Sequence, residues 1–422
     1  AIVVSGQKAR VDAARTTILD TVKSAVVTSG DESVAVLTSA TVSRTGNPAI
    51  QVSGTGSGVY LRSSTISDVT GTGASVTGKN SVFSLEAGSR LQNVSSNGIE
   101  AGFGVPAVIA QSIFVSVTDG SRITGVNGDG IVAERAAVRV AESQISDFGG
   151  AGIRATEVRG PATNPQLTGA GVTDNAVWVQ GATISNGQRP QGSIDGGIVV
   201  LNSDLSVGRA DPADPRSTIT TISNTGPFGI QATLLPGASG TMSVLVDSAR
   251  IQGVTTGIDV AANAGTNAAG TAPTNIINFT ATNNQITTNT TGVGIGLSGV
   301  FDTDLEPPLP GTALSRVNAN IRDNQITGGA DRDPILLTTV GGPTQDDLGV
   351  AGFAFATPFQ KPLWVQAGGR VPLQNINNGA AVTEDPAPGG DVQTSVNYNP
   401  GIVVTQPPAA PPITVPAPPP LP

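Results

Sequence analysis

The chain has 422 residues and no His or Cys, which narrows the chemistry its side chains can do. Lack of His removes the usual general base and the commonest metal ligand. Lack of Cys removes disulfides, thiolate nucleophiles and Cys-type zinc sites. Four acidic groups remain as candidates: Asp302/Asp304/Glu306, Asp331/Asp333, Asp346/Asp347 and Asp211/Asp214. A carboxylate pair cleaves a glycosidic bond only at a defined separation on one face. Each of these groups sits beside proline in a variable arm or beyond the repeat, where solvated loop charge collects. A lyase using Arg or Lys as base with Ca²⁺ stays open, and of these groups Asp331-Arg332-Asp333, with its opposed charges, departs least from that chemistry.

Two further motifs invite chemical readings. Gly73 to Asn80 fits the phosphate-loop spacing but has Asn80 where Mg²⁺ needs Ser or Thr. No helix follows it to receive phosphate. The runs Gly54-x-Gly56-x-Gly58 and Gly292-x-Gly294-x-Gly296 lie among short strands, not in a βαβ unit. Trp178 lies between Val177 and Val179, so burial of the valines turns the indole outward. It is the best surface-contact candidate unless the long arm from Arg159 to Asp174 folds over it.

The elements that would position such groups are short strands. Gly accounts for 54 residues and aromatics for 3%, a mix that disfavours long helices and calls for an aliphatic core. Charged residues are 13% and hydrophobic residues 38%, the reverse of a disordered composition. An apolar position recurs at Ile18, Val42, Ile66, Leu91, Ile123, Ile145, Ile184, Ile222, Ile251, Ile286 and Ile326. A second element, Gly-Ile, recurs at Gly98, Gly130, Gly152, Gly197, Gly229, Gly257 and Gly294. There glycine is expected to supply the positive φ of a corner. A coil of about 24 residues then holds three strands and three turns, and coils stack at the ~4.8 Å strand spacing. The Asn-Gln-Ile-Thr corners at Asn284 and Asn324 fit stacked Asn side chains bonding along the solenoid.

On these corners and this repeat, residues 1–335 resemble the pectate-lyase-like right-handed parallel β-helix superfamily, which includes phage tailspikes and autotransporter passenger domains. The expected architecture is about 11–12 coils, then a cap or side element over 336–384 and a Pro-rich extended tail with a short strand over 385–422. The resemblance leaves function open, because that superfamily holds lyases, hydrolases, adhesins and structural rods. Its polygalacturonase pattern includes a Gly-His-Gly that this chain lacks.

The expectation drawn is a secreted, non-enzymatic structural or adhesive solenoid of a bacterial cell surface, with a polysaccharide lyase or glycoside hydrolase as the alternative. No cofactor is expected, and Ca²⁺ is the one ion its carboxylates could take. Expected partners are the chain itself, surface glycans or host receptors. Head-to-tail assembly would run through Ala1, Ile2, Val3 and Val4 at one end and Ile402, Val403 and Val404 at the other. The net charge of −9, with scattered basic residues, argues against nucleic acid, and no apolar run is long enough for membrane insertion.

Overall fold

A computed structural model of the chain describes residues 1–187, 196–235, 240–262, 275–300, 315–322, 324–327, 335–340, 363–368, 373–375 and 380–384. The chain is a right-handed parallel β-helix and divides into two compact units that meet in sequence at Pro227 and Phe228. Right-handedness is what a crossover between parallel strands of one sheet requires.

The first unit holds eight coils of three strands. Their strands are β1 Ile2–Val4, β2 Arg10–Ala14 and β3 Thr17–Thr21; β4 Val26–Thr28, β5 Val34–Thr38 and β6 Thr41–Thr45; β7 Ile50–Val52, β8 Gly58–Arg62 and β9 Thr65–Val69; β10 Ala74–Val76, β11 Val82–Glu86 and β12 Arg90–Val94. The later four coils comprise β13 Ile99–Ala101, β14 Phe114–Val117 and β15 Arg122–Val126; β16 Ile131–Glu134, β17 Ala137–Ala141 and β18 Gln144–Phe148; β19 Ile153–Thr156, β20 Val177–Gln180 and β21 Thr183–Gly187; β22 Gly196–Leu201, β23 Leu205–Gly208 and β24 Thr221–Ser223. Each strand pairs in parallel with its counterpart one coil on. The recurring apolar position is a true ladder: Ile18 pairs with Val42, Val42 with Ile66, and so on to Ile222. Inward rows such as Leu37, Leu61, Leu85, Val117 and Val140 are fully buried, each side chain stabilising the stack by roughly 1.5–3 kcal/mol.

The Gly-Ile corners align as expected, with Ile99, Ile131, Ile153 and Ile198 in register. The reason for glycine differs. Gly98, Gly130 and Gly152 are not among the positive-φ glycines. A Cβ on Gly98 would lie 2.4 Å from the Gly130 carbonyl oxygen, and one on Gly130 would lie 2.5 Å from that of Gly152. Close stacking of backbone on backbone selects glycine there. At the bulge of most third strands the left-handed backbone is instead carried by a polar residue, as at Asp20, Arg44, Asp68 and Asn93. Asp68 shows what repays that conformation: it accepts 3.0 Å bonds from Ser43, Ser67 and Asn93. Those donors hold its carboxyl below the usual range.

The second unit contains β25 Phe228–Leu234, β26 Gly240–Asp247, β27 Arg250–Ala262, β28 Asn275–Thr282, β29 Gln285–Val300, β30 Ser315–Arg322, β31 Gln325–Thr327, β32 Ile335–Val340, β33 Leu363–Gly368, β34 Leu373–Asn375 and β35 Ala380–Glu384. The expected Asn corner is present. Asn284 Nδ2 donates to Asn324 Oδ1 at 2.8 Å, Asn284 Oδ1 accepts from Ala249 N, and both side chains are buried. Parallel pairing does not stop at residue 335: β32 pairs with β29, β33 with β30, β34 with β32 and β35 with β33. The described strands of 336–384 thus continue the parallel ladders. The tail, with Ile402, Val403 and Val404, lies outside the described residues, as do the acidic groups at 302–306, 331–333 and 346–347.

Candidate functional site

On the middle strand of each coil in the first unit alternate side chains face outward, and the central ones align from coil to coil. That row reads Asp12, Val36, Tyr60, Ser84, Ser116, Arg139, Trp178 and Ser206 in register. Two arms leave the coils beside it. The first contains a short helix α1, Ala107–Ala110, between β13 and β14. The second contains α2, Pro165–Gly169, between β19 and β20.

The second arm folds back over earlier coils. Asn164 caps α2 by accepting from Gln166 N at 2.9 Å. Its amide donates to the carbonyls of Ser81 and Ser112, and Asn175 donates to that of Gln111. Ala162, Leu167 and Val172 of this arm pack on Val82, Phe114, Ala137 and Trp178. Trp178 does point outward from the coil, yet it is fully buried beneath the arm. It is therefore corrected as a surface contact: covering its large apolar face is more favourable than leaving it in water.

At the opposite end the row is open. Tyr60 packs on the edge of the covered cluster and is only partly buried. Its ring lies over Gly58, where a Cβ would meet Cε2 at 2.9 Å. Burial raises the phenol above its ordinary range and Glu86 adds to this; a hydrogen bond from Gln166 and the charges of Arg62 and Arg10 oppose it. At neutral pH the phenol is protonated, a proton donor rather than a base. One coil on, Glu86 is buried, accepting from Ser84 at 2.8 Å and from Arg62 Nε at 3.0 Å. Only Nε of Arg62 is engaged among the described residues, so its two Nη groups stay available on a half-exposed side chain. Asp12 is exposed and gripped by Arg10 through Nε and Nη2, which holds its carboxyl below the usual range.

Other candidates resolve differently. Asp211 and Asp214 accept backbone N–H bonds from Ala213 and Arg216 within an exposed loop, a turn-stabilising role. Asn80 of the phosphate-loop-like run is a left-handed corner residue whose N–H bonds Ser112 Oγ. Ala1 and Val3 are exposed and Val4 is buried, with Ile2, Val3 and Val4 paired in parallel to β4. No group of three or more acidic side chains suited to a metal occurs among the described residues. No described helix is long and apolar enough to cross a membrane. Sequence reasoning passed over Tyr60, Arg62 and Glu86, although Val59 and Leu61 flank Tyr60 as two valines flank Trp178.

No family model and no curated protein matches the chain. Among solved structures it is similar to the A-module of the Azotobacter vinelandii mannuronan C-5 epimerase AlgE6, with 13% identity, 92% of this chain and 86% of that chain covered, and a TM-score of 0.31. It is also similar to the A-module of the epimerase AlgE4 from the same organism, with 11% identity, coverage of 91% and 88%, and a TM-score of 0.22. The expectation that the chain is not an enzyme is corrected on this finding: both are enzymes, and an enzymatic role is not excluded.

Proposed function

We propose that the chain is a polysaccharide lyase that binds an acidic, extracellular glycan across the open end of the outward row. The observation that carries this reading is the Arg62 guanidinium, fixed through Nε by buried Glu86, beside the partly buried phenol of Tyr60. Its free Nη edge suits a carboxylate, and neutralising that carboxylate acidifies the adjacent C–H.

The elimination then balances with groups on this face. Ionised Asp12 takes the proton from the carbon next to the carboxylate. That electron pair forms a carbon–carbon double bond as the glycosidic C–O bond breaks. Tyr60 delivers its proton to the departing oxygen. Hydrolysis by paired carboxylates is less well served. Asp12 and Glu86 stand three coils apart, ~14 Å along the stack. Glycosidase pairs need roughly 5–9.5 Å.

The test is incubation with polyuronates and with neutral glycans, reading unsaturated ends by ultraviolet absorbance and chain cleavage by reducing ends. Unsaturated product from the acidic glycan alone is expected, with Tyr60→Phe lowering turnover by about 10²-fold or more. Reducing ends without unsaturation would replace the lyase by a hydrolase. Absence of both products from every glycan would end the proposal.

A further inference from the structure

Gln166 meets Tyr60 across 106 residues of sequence, its Nε2 donating to the phenol oxygen at 2.5 Å. Nothing in the coil containing Tyr60 requires this contact. It exists because the second arm is pinned three times over the face: Asn164 bonds to two carbonyls, Asn175 to a third, and Leu167 is buried in the covered cluster. Gln166 follows Asn164 by two residues in the first turn of α2 and is exposed, so its amide reaches the phenol from the solvent side.

We propose that Gln166 is a positioning residue: the arm carries its amide to Tyr60, where it occupies one side of the phenol oxygen and leaves the hydroxyl proton directed at bound glycan. A phenol O–H lies near its ring plane with two in-plane directions open to it. An N–H donated into one of them leaves the proton the other. A hydroxyl already aimed at the departing oxygen avoids reorientation during the reaction. The same bond favours the phenolate, opposing the effect of burial. The catalytic meaning of this role rests on the lyase reading, whereas the contact itself does not.

The experiment uses the full chain with Tyr398→Phe, which leaves Tyr60 as the only tyrosine. Absorbance titration of the phenol is compared with and without Gln166→Leu, a change on an exposed side chain. The midpoint is expected to rise in the Gln166→Leu protein, and the alkaline limb of kcat/KM to rise with it. The carbon-13 shift of labelled Tyr60 Cζ at neutral pH reports the same contact, so the answer survives alkaline unfolding. A midpoint that stays or falls, or an unaltered Cζ shift where the chain unfolds first, overturns the positioning role. A shifted phenol in a chain that makes no product would sink the lyase and leave the contact standing. An active enzyme with an unshifted phenol would do the reverse.

Discussion

The two ends of one outward row answer the same problem differently. Trp178 and Tyr60 both stand on the middle strand of a coil, flanked by buried aliphatic residues, and both turn outward. The second arm seals the first completely and touches the second only at its rim. Strand alternation decides which side chains leave the core, while arms inserted between strands decide which of them meet water. On this fold a surface site is therefore defined by where an arm stops.

Opening the sealed end gives the largest expected effect. Trp178→Ala removes the biggest fully buried side chain among the described residues, and core truncations of this kind cost about 3–5 kcal/mol. Chemical denaturation should show that loss, while affinity for polyuronate stays close to that of the natural chain. A binding loss as severe as that of Arg62→Ala would mean that the two ends form one site.

Releasing the arm without emptying the cluster is the next step. Asn164→Ala deletes the cap of α2 and two bonds to coil carbonyls. A loss of about 2 kcal/mol is expected. Hydrogen exchange should rise over 160–175 and leave β8 and β11 protected. Exchange rising equally in β8 would show that arm and coils open as one unit.

Much of this was legible in sequence because stacked coils repeat their constraints. The apolar position from Ile18 to Ile222, the Asn284–Asn324 corner and the outward direction of Trp178 all follow from spacing and alternation. The arrangement of the open end was not. Tyr60 could be assigned outward from Val59 and Leu61, but its partner Gln166 lies 106 residues away on an arm whose length varies from coil to coil. The Gly-Ile corners were placed correctly for the wrong reason, since one chain cannot show that the next carbonyl will lie 2.4 Å from a Cβ. Acidic clusters in sequence drew attention away from Asp12 and Glu86, which are single carboxylates on separate coils.

A carboxyl in the second unit sharpens the contrast between open and covered positions. Asp259 faces outward between buried Ile258 and Val260, as Asp12 does between Val11 and Ala13. Arg10 holds Asp12 below its ordinary value, whereas burial pushes Asp259 up to about 6, opposed only by a 3.5 Å bond from Gln231. Because the folded value exceeds the unfolded one, the protonated form favours the native state. That stabilisation is complete below pH ~4 and is lost as pH rises through about 6. The full shift corresponds to ~3 kcal/mol, and partial exposure reduces this to about 1–2 kcal/mol. Asp259→Asn should flatten the fall in unfolding free energy between pH 4 and pH 7, and Asp12→Asn should leave it in place. An unchanged slope in Asp259→Asn would show that water reaches this carboxyl, making it a second open position.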